Sequence, residues 1–156
     1  MSDISAFATG NPIMLNNGPT ATFIAEGTVT AGQVVAIDAT GVSMSVRGAV
    51  AETGERPIGV ALTSATTGEY VTVALPGSIC YAVNADDTTA IDAGDHLETN
   101  NNAVLGTVNT AVVAATGGAT VTVHDAVIGY ALDDIAGEGY GRMLVWPHTV
   151  TQPNSS

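Results

Sequence analysis

The stretch IGVALTSATTGEYVTVALPG, residues 58–77, has a near copy in IGYALDDIAGEGYGRMLVWPH, residues 128–148. A single offset of 70 residues aligns the two stretches. The identities at this offset pair Ile58 with Ile128, Gly59 with Gly129, Ala61 with Ala131, Leu62 with Leu132 and Tyr70 with Tyr140. Chance similarity in a chain rich in alanine and glycine is the alternative. The repetition predicts a fold of two similar halves.

Short runs rich in β-branched residues recur along the chain from residue 20 to residue 146, and glycine turns such as Thr67-Gly68 separate them. Within residues 70–75 the apolar side chains alternate, so that Val71, Val73 and Leu75 face one side of a strand. Many short strands separated by glycine turns are typical of sandwiches and barrels. We therefore predict an all-β fold, a small β-barrel or sandwich with two pseudo-repeated halves.

The similarity also extends upstream of each quoted stretch. Ala31-Gly32 and Ala93-Gly94 each precede a strand-like run, which places the two halves at about 27–77 and 90–147. We expect their Ile-Gly-x-Ala-Leu hairpins to close one barrel, with the glycine allowing close approach of a neighbouring strand. The predicted organisation is an extended N-terminal arm over residues 1–25, a single β-barrel domain over 26–148, and a flexible tail over 149–156.

The charge of the chain is strongly one-sided. Its 156 residues contain fifteen acids, three arginines and no lysine, for a formal net charge of −12. Simple attraction to nucleic acid or to an anionic membrane is therefore not expected, and neither is predicted as a partner. Two interpretations of the acidity remain open: adaptation to high salt, where screening removes self-repulsion, and an acidic surface that meets a basic partner.

The sequence contains no recognisable signal peptide, transmembrane helix or pair of cysteines for a disulfide. Residues 1–12 have no basic region followed by an apolar run, so no signal peptide is predicted, and no run of about 18 apolar residues predicts a transmembrane helix. The one cysteine, Cys80, cannot form an internal disulfide. Its strand-like surroundings are typical of a small buried hydrophobe.

A search for catalytic or ligand-binding motifs finds none with the required spacing. A phosphate-binding loop needs a lysine, and the glycines of GEGYGR (137–142) lead into a strand rather than a helix. His96, His124 and His148 lie far apart in the sequence. The paired acids Asp86-Asp87 and Asp133-Asp134 lack the further oxygen ligands of a cation site. No catalytic residue, cofactor or metal is therefore predicted, and the chain is expected not to be an enzyme.

The order of these pieces resembles a known protein family. Residues 30–35 (TAGQVV), 58–62 (IGVAL) and 68–77 (GEYVTVALPG), followed by 91–95 (IDAGD) and 128–132 (IGYAL), resemble the phage capsid cement, or head decoration, family once catalogued as a domain of unknown function. The resemblance implies a small β-barrel protein made in the host cytoplasm. It implies that the protein binds the outer surface of an assembled viral capsid as a homotrimer and clamps neighbouring major capsid subunits.

Two groups of residues are candidates for these contacts. Apolar residues within the predicted arm are expected to bind the capsid: Phe7, Ile13, Met14 and Leu15. The alternative is that this segment is disordered. A second group should share the outer face of the last strand and form the subunit interface: Tyr140, Arg142, Leu144 and Trp146. The alternative is that the N-terminal arm of the same chain covers this face. The competing hypothesis is a cell-surface or appendage β-module that binds a sugar or another protein.

Overall fold

A computed structural model describes residues 18–38, 43–49, 57–84, 90–99, 108–110 and 123–151. Ten β-strands, and no helix, lie within these residues. The prediction of an all-β fold is confirmed. In chain order the strands are β1 (Thr20–Ala25), β2 (Val34–Ile37), β3 (Ser45–Gly48), β4 (Pro57–Ala61), β5 (Tyr70–Ala74), β6 (Ile79–Val83), β7 (His96–Thr99), β8 (Val108–Thr110), β9 (Val123–Ala131) and β10 (Tyr140–Thr151).

The first five strands form a closed barrel in the order β1-β3-β2-β4-β5. All neighbours are antiparallel except β1 and β3, which run parallel. The antiparallel pairing of β1 with β5 completes the ring of strands. Closure leaves this half without a free sheet edge.

The last five strands form a second sheet in the order β6-β10-β9-β7-β8. If each strand is replaced by its equivalent in the first half, β6 by β1, β7 by β2 and so on, this order becomes β1-β5-β4-β2-β3. That is the order of the strands around the barrel when it is followed from β1 through β5. The pairing of β1 with β5 thus recurs between β6 and β10, and the pairing of β2 with β3 recurs between β7 and β8. Each half of the chain therefore forms its own five-stranded sheet, rather than one hairpin of a shared barrel as the sequence suggested.

The registers of the two sheets agree residue by residue. Gly59 lies opposite Val35 in the first sheet, and Gly129 lies opposite Leu97 in the second. Both ladders then shift by one residue, which leaves Ile58 and Ile128 at equivalent bulges. The duplication is thus established by backbone pairing, which is independent of the residue identities that suggested it.

The repeat unit begins earlier than the sequence indicated. The amide of Leu75 donates to the carbonyl of Pro19, and the equivalent amide of Val145 donates to the carbonyl of Ser78. We therefore define the first repeat as residues 18–76 and the second as residues 77–151. Residues 20–25, assigned to the arm from the sequence, form β1 of the barrel, and β10 continues to Thr151, three residues into the predicted tail. Residues 1–17 lie outside the described residues.

Glycine is required where adjacent strands approach most closely. A Cβ on Gly59 would lie within 3 Å of the carbonyl oxygen of Ala74, and a Cβ on Gly129 would lie within 3 Å of that of Leu144. These two glycines belong to the Ile-Gly-x-Ala-Leu signature, and the strand that each approaches is the one that follows in sequence. The repeated motif therefore records one backbone contact that both sheets need.

Two hydrophobic clusters fill the molecule. One lies inside the barrel and contains Phe23, Val35, Val46, Val71 and Val73 among its buried members. The other combines buried residues of the second half with residues on the outer face of the barrel. The barrel residues in this second cluster include Val34, Ala36, Val60 and Ala74, which alternate along their strands with the residues that face the barrel interior. The two repeats thus pack through the outside of the first.

Candidate interaction surface on the second repeat

The outer face of β10 has the alternation predicted from the sequence. Met143 and Val145 are fully buried, whereas Arg142 is exposed and Leu144 is half-buried between them. Trp146 follows on the same side and is 52% exposed. An exposed tryptophan beside a half-buried leucine is the kind of apolar surface that marks an interaction site.

Arg142, one of the predicted interface residues, is held by a carboxylate of its own repeat. Its Nε donates to Asp133 Oδ2 at 2.6 Å, and its second guanidinium nitrogen, Nη2, donates to Asp133 Oδ1. This bidentate hydrogen bonding lowers the pKa of Asp133 below its ordinary value. Asp133 also accepts from the backbone amide of Arg142 at 3.2 Å. The arginine is therefore oriented at the edge of the face by the turn between β9 and β10.

An aromatic cluster adjoins Leu144 on the neighbouring strands. The rings of His96 and Tyr130 lie 4.8 Å apart between centroids, and the ring of His148 lies 5.3 Å from that of Tyr130 and 5.5 Å from that of His96. Tyr130 is opposite both His96 on β7 and Leu144 on β10, which brings the cluster into contact with the outer face. We call His96, Tyr130, Leu144, Trp146 and His148 the aromatic patch.

One nitrogen of His148 has an unusual environment. Nδ1 lies 2.6 Å from the carbonyl oxygen of Trp146, so that Nδ1 is the protonated nitrogen that donates this bond. Nε2 is buried and has no hydrogen-bond partner among the described residues. A buried ring nitrogen without a partner is uncommon in folded proteins, and here it lies within the patch.

The sequence analysis missed this cluster because its two histidines are distant along the chain. The repeat contained a usable signal, since His96 and Tyr130 occupy the places of Val34 and Val60, which face each other in the barrel. Knowing that pairing, one could have placed the two rings together. His148 follows Trp146 on β10 beyond a register shift and could not have been placed this way.

Cys80 and Asp134, the other residues considered for a reactive or cation-binding role, are respectively buried and hydrogen-bonded within the fold. Burial raises the pKa of the Cys80 thiol to about 12, which leaves little thiolate for nucleophilic attack. Asp134 accepts a hydrogen bond from the amide of Ala93 at 2.9 Å, as the hydroxyl of Ser64 does from Ala31 in the first repeat. In the ranges that the structure describes, no three His, Cys, Asp or Glu side chains lie close enough to hold a metal ion.

Several predicted features lie elsewhere. The candidate capsid-binding residues Phe7, Ile13, Met14 and Leu15 fall outside the described residues, as do Asp86 and Asp87. Tyr140, the remaining candidate interface residue, is partly buried at the start of β10. None of the described segments forms a helix long and apolar enough to cross a membrane.

Comparison with known proteins yields one structural similarity. The sequence matches no known family model and no curated protein. The structure is similar to the crystal structure of the N base of head fiber gp8.5 in bacteriophage phi29, with a TM-score of 0.54 and 16% sequence identity. The similarity covers 86% of this chain and 98% of that one. At this identity it shows a shared fold, in which both repeats take part.

Proposed function

We propose that this chain is a structural virion protein that binds the outer surface of an assembled viral capsid and stabilises it by clamping neighbouring major capsid subunits. The observation that carries the proposal is the fold shared with the base of a phage head fiber over 86% of the chain. Because that likeness includes both repeats, it concerns the whole duplicated architecture rather than a common small barrel. A non-enzymatic role also agrees with a chain whose most distinctive surface is an exposed apolar one.

The proposal assigns a role to each group of candidate residues. Phe7, Ile13, Met14 and Leu15 precede the barrel and would attach the protein to the major capsid protein. The outer face of β10, from Tyr140 to Trp146, would contact other copies of the chain in a homotrimer. The exposed fraction of Trp146 supports this second assignment, since covering a half-exposed tryptophan is favourable at about 25 cal/mol for each Å² of apolar surface removed from water.

The acidity of the chain fits a surface location in concentrated salt. With fifteen acids and three arginines, crowded copies on a capsid would repel each other at low ionic strength. At molar salt the screening length falls to about 3 Å and this repulsion is largely removed. We therefore include adaptation to high salt in the proposal.

The decisive experiment compares assembled and unassembled capsid protein. Purified chain is mixed with assembled heads of the virus that encodes it, and separately with the free major capsid protein, and binding is measured by co-sedimentation. We expect saturable binding to heads only, and a higher temperature of head disruption once the chain is bound. Failure to bind heads, together with binding to glycans or to host-cell surfaces, would replace the proposal by that of an appendage module.

A truncated chain tests the role of the N-terminal segment. Deleting residues 1–17 leaves every described strand intact, so we expect an unchanged far-ultraviolet spectrum and weakened attachment to heads. The matched control replaces Phe7, Ile13, Met14 and Leu15 by serine at full length, which removes the apolar side chains and keeps the chain length. Equal head binding by the truncated and full chains would show that these residues do not attach the protein.

A further inference from the structure

The duplication relates every surface of one repeat to a surface of the other, and two such pairs of surfaces differ in burial. Val34, Val60 and Ala74 on the outside of the barrel are buried, because the second repeat packs against them. The equivalent positions in the second repeat are His96, Tyr130 and Leu144, and all three remain partly exposed. Among the described residues, the face that the first repeat uses for packing is therefore left without a partner in the second.

The residues that the second repeat contributes to this contact show the opposite difference in burial. Ile128 and Val145 are fully buried and belong to the core cluster that joins the repeats, where β9 and β10 pack against β4. Their equivalents in the first repeat are Ile58 and Leu75, which are only partly buried. We call these two residues the Ile58 end. Within the part of the chain that the structure describes, the surface that the second repeat uses for packing is thus left without a partner in the first.

We propose that the Ile58 end of one copy of the chain docks on the aromatic patch of a second copy and repeats between chains the contact that joins the repeats within a chain. The occupant is a second copy because the chain already contains a complementary pair of these surfaces, and one member of the second pair lies on each repeat. The proposal specifies which surfaces would form the contact between copies in the proposed homotrimer. It rests on that part of the proposed function alone.

The contact is heterologous, since the Ile58 end and the aromatic patch are different surfaces. Heterologous contacts produce a closed ring when the rotation between copies closes, and an open filament when it does not. A ring agrees with the homotrimer proposed above. It also differs from a two-fold interface in which the Trp146 residues of two chains would meet, and the two arrangements respond differently to mutation.

Two variants, each blocking one surface, distinguish these arrangements. Ile58→Glu places a charge on the Ile58 end, and Trp146→Glu places one on the aromatic patch. We expect the wild-type chain to form an oligomer by light scattering in molar KCl, and each variant alone to be monomeric. An equimolar mixture of the two should form a dimer and nothing larger, because one intact contact remains between the two kinds of chain.

The control variant is Tyr70→Glu, which changes a 75% exposed side chain in the first repeat and should keep the wild-type mass. A two-fold Trp146 contact predicts instead that Ile58→Glu keeps the wild-type mass, and that the mixture contains no dimer joining the two different variants. A wild-type chain that stays monomeric at all concentrations would also overturn the proposal. So would a wild-type mass for both variants, which would mean that copies of the chain associate through other surfaces.

Cross-linking keeps the test valid if a charged variant fails to fold. Leu75→Cys and Trp146→Cys are mixed and treated with a short bismaleimide, to which buried Cys80 is unreactive. We expect a product joining the two different variants and none from either variant alone. Tyr70→Cys, at the other end of β5 from Leu75, is the matched control and should give no product with Trp146→Cys. Cross-linking of Trp146→Cys to itself alone would contradict the proposal.

Because this test uses the purified chain, its outcome is independent of capsid binding. A chain that associates as proposed but ignores assembled heads would leave the inference intact and overturn the proposed function. A chain that binds heads as a monomer would overturn the inference and leave the proposed capsid binding intact.

Discussion

The two repeats share strand order, register and bulges, yet they differ in what their equivalent faces contact. In the first repeat a closed barrel buries its outer face against its neighbour, and Val34, Val60 and Ala74 are suited to that contact. In the second repeat the same face carries rings and a leucine that remain partly exposed. Duplication preserved the backbone because strand pairing in each sheet depends on it. The side chains on the outside diverged because each face has a different environment.

The largest expected effect comes from the glycine that both repeats require. Gly59→Ala and Gly129→Ala each place a Cβ within 3 Å of a carbonyl oxygen on the adjacent strand, so the backbone must move. We expect each variant to lower the free energy of unfolding by about 2 to 3 kcal/mol or more, measured by urea denaturation.

Gly68→Ala is the control for the glycine pair, because open space surrounds Gly68 and only its positive φ opposes alanine. This variant should cost about 1 kcal/mol. A large cost at Gly59 with a negligible cost at Gly129 would show that the two strand pairs are not mechanically equivalent.

A compensating pair of residues inside the repeats gives the next effect. Ala65 and Val71 in the barrel correspond to Ile135 and Gly141 in the second repeat, and a Cβ on Gly141 would collide with the side chain of Ile135. We expect Ile135→Ala to cost about 3 kcal/mol through the cavity it leaves, and Gly141→Val to cost about 1 to 3 kcal/mol through overpacking.

The double variant restores the combination found in the barrel. It should therefore be more stable than the sum of the two single effects predicts, with a coupling of about 1 kcal/mol or more in a double-mutant cycle. Strict additivity would mean that the two interiors are packed in unrelated ways despite their shared register.

Salt should affect the two repeats unequally. The first repeat, residues 18–76, contains five acids and two arginines, whereas the second, residues 77–151, contains nine acids and one arginine. Raising KCl from about 0.1 M to about 3 M shortens the screening length from about 10 Å to less than about 3 Å. We expect the unfolding midpoint to rise, and amide-exchange protection to increase more in the second repeat. Equal midpoints at both salt concentrations would remove the argument for salt adaptation.

The smallest expected effect concerns the hydrogen bond that joins the β9–β10 turn to β10. The equivalent hydrogen bond in the first repeat has a different side chain as its acceptor. The hydrogen bonds from Arg142 lower the pKa of Asp133, so this pair stabilises the fold above the ordinary carboxyl pKa and loses that contribution as pH falls through the lowered pKa. Asp133→Asn should therefore lower the melting temperature slightly at neutral pH, with a difference from wild type that disappears in acid.

In the first repeat the hydroxyl of Thr63 accepts from the amide of Thr72, in place of the carboxylate. Thr63→Ala removes this uncharged equivalent, so its small effect should be the same at neutral and acidic pH. A pH-independent effect of Asp133→Asn would show that the ion pair contributes nothing beyond the backbone hydrogen bond.

The sequence by itself determined the strand content and the existence of the repeat. Period-two alternation in residues 70–75 and 140–145 is a local property, because successive side chains of a strand face opposite sides whatever the sheet does next. The same property assigned Leu144 and Trp146 to an outer face. The matching glycines at 59 and 129 survive because any side chain there would strike a neighbouring backbone, and so the duplication stayed visible in residue identities.

Only the tertiary structure decided how the repeats close and what their faces meet. Strands β1 and β6 share a place in the sheet without sharing residue types, since backbone hydrogen bonds constrain position rather than side chain. The equivalence of Thr20–Ala25 and Ile79–Val83 therefore could not be read from the sequence, and the start of the barrel was placed too late. His96, Tyr130 and His148 likewise meet only through pairing across three strands. That pairing joins residues more than 50 positions apart, and it is set by the packing of whole sheets rather than by any local pattern.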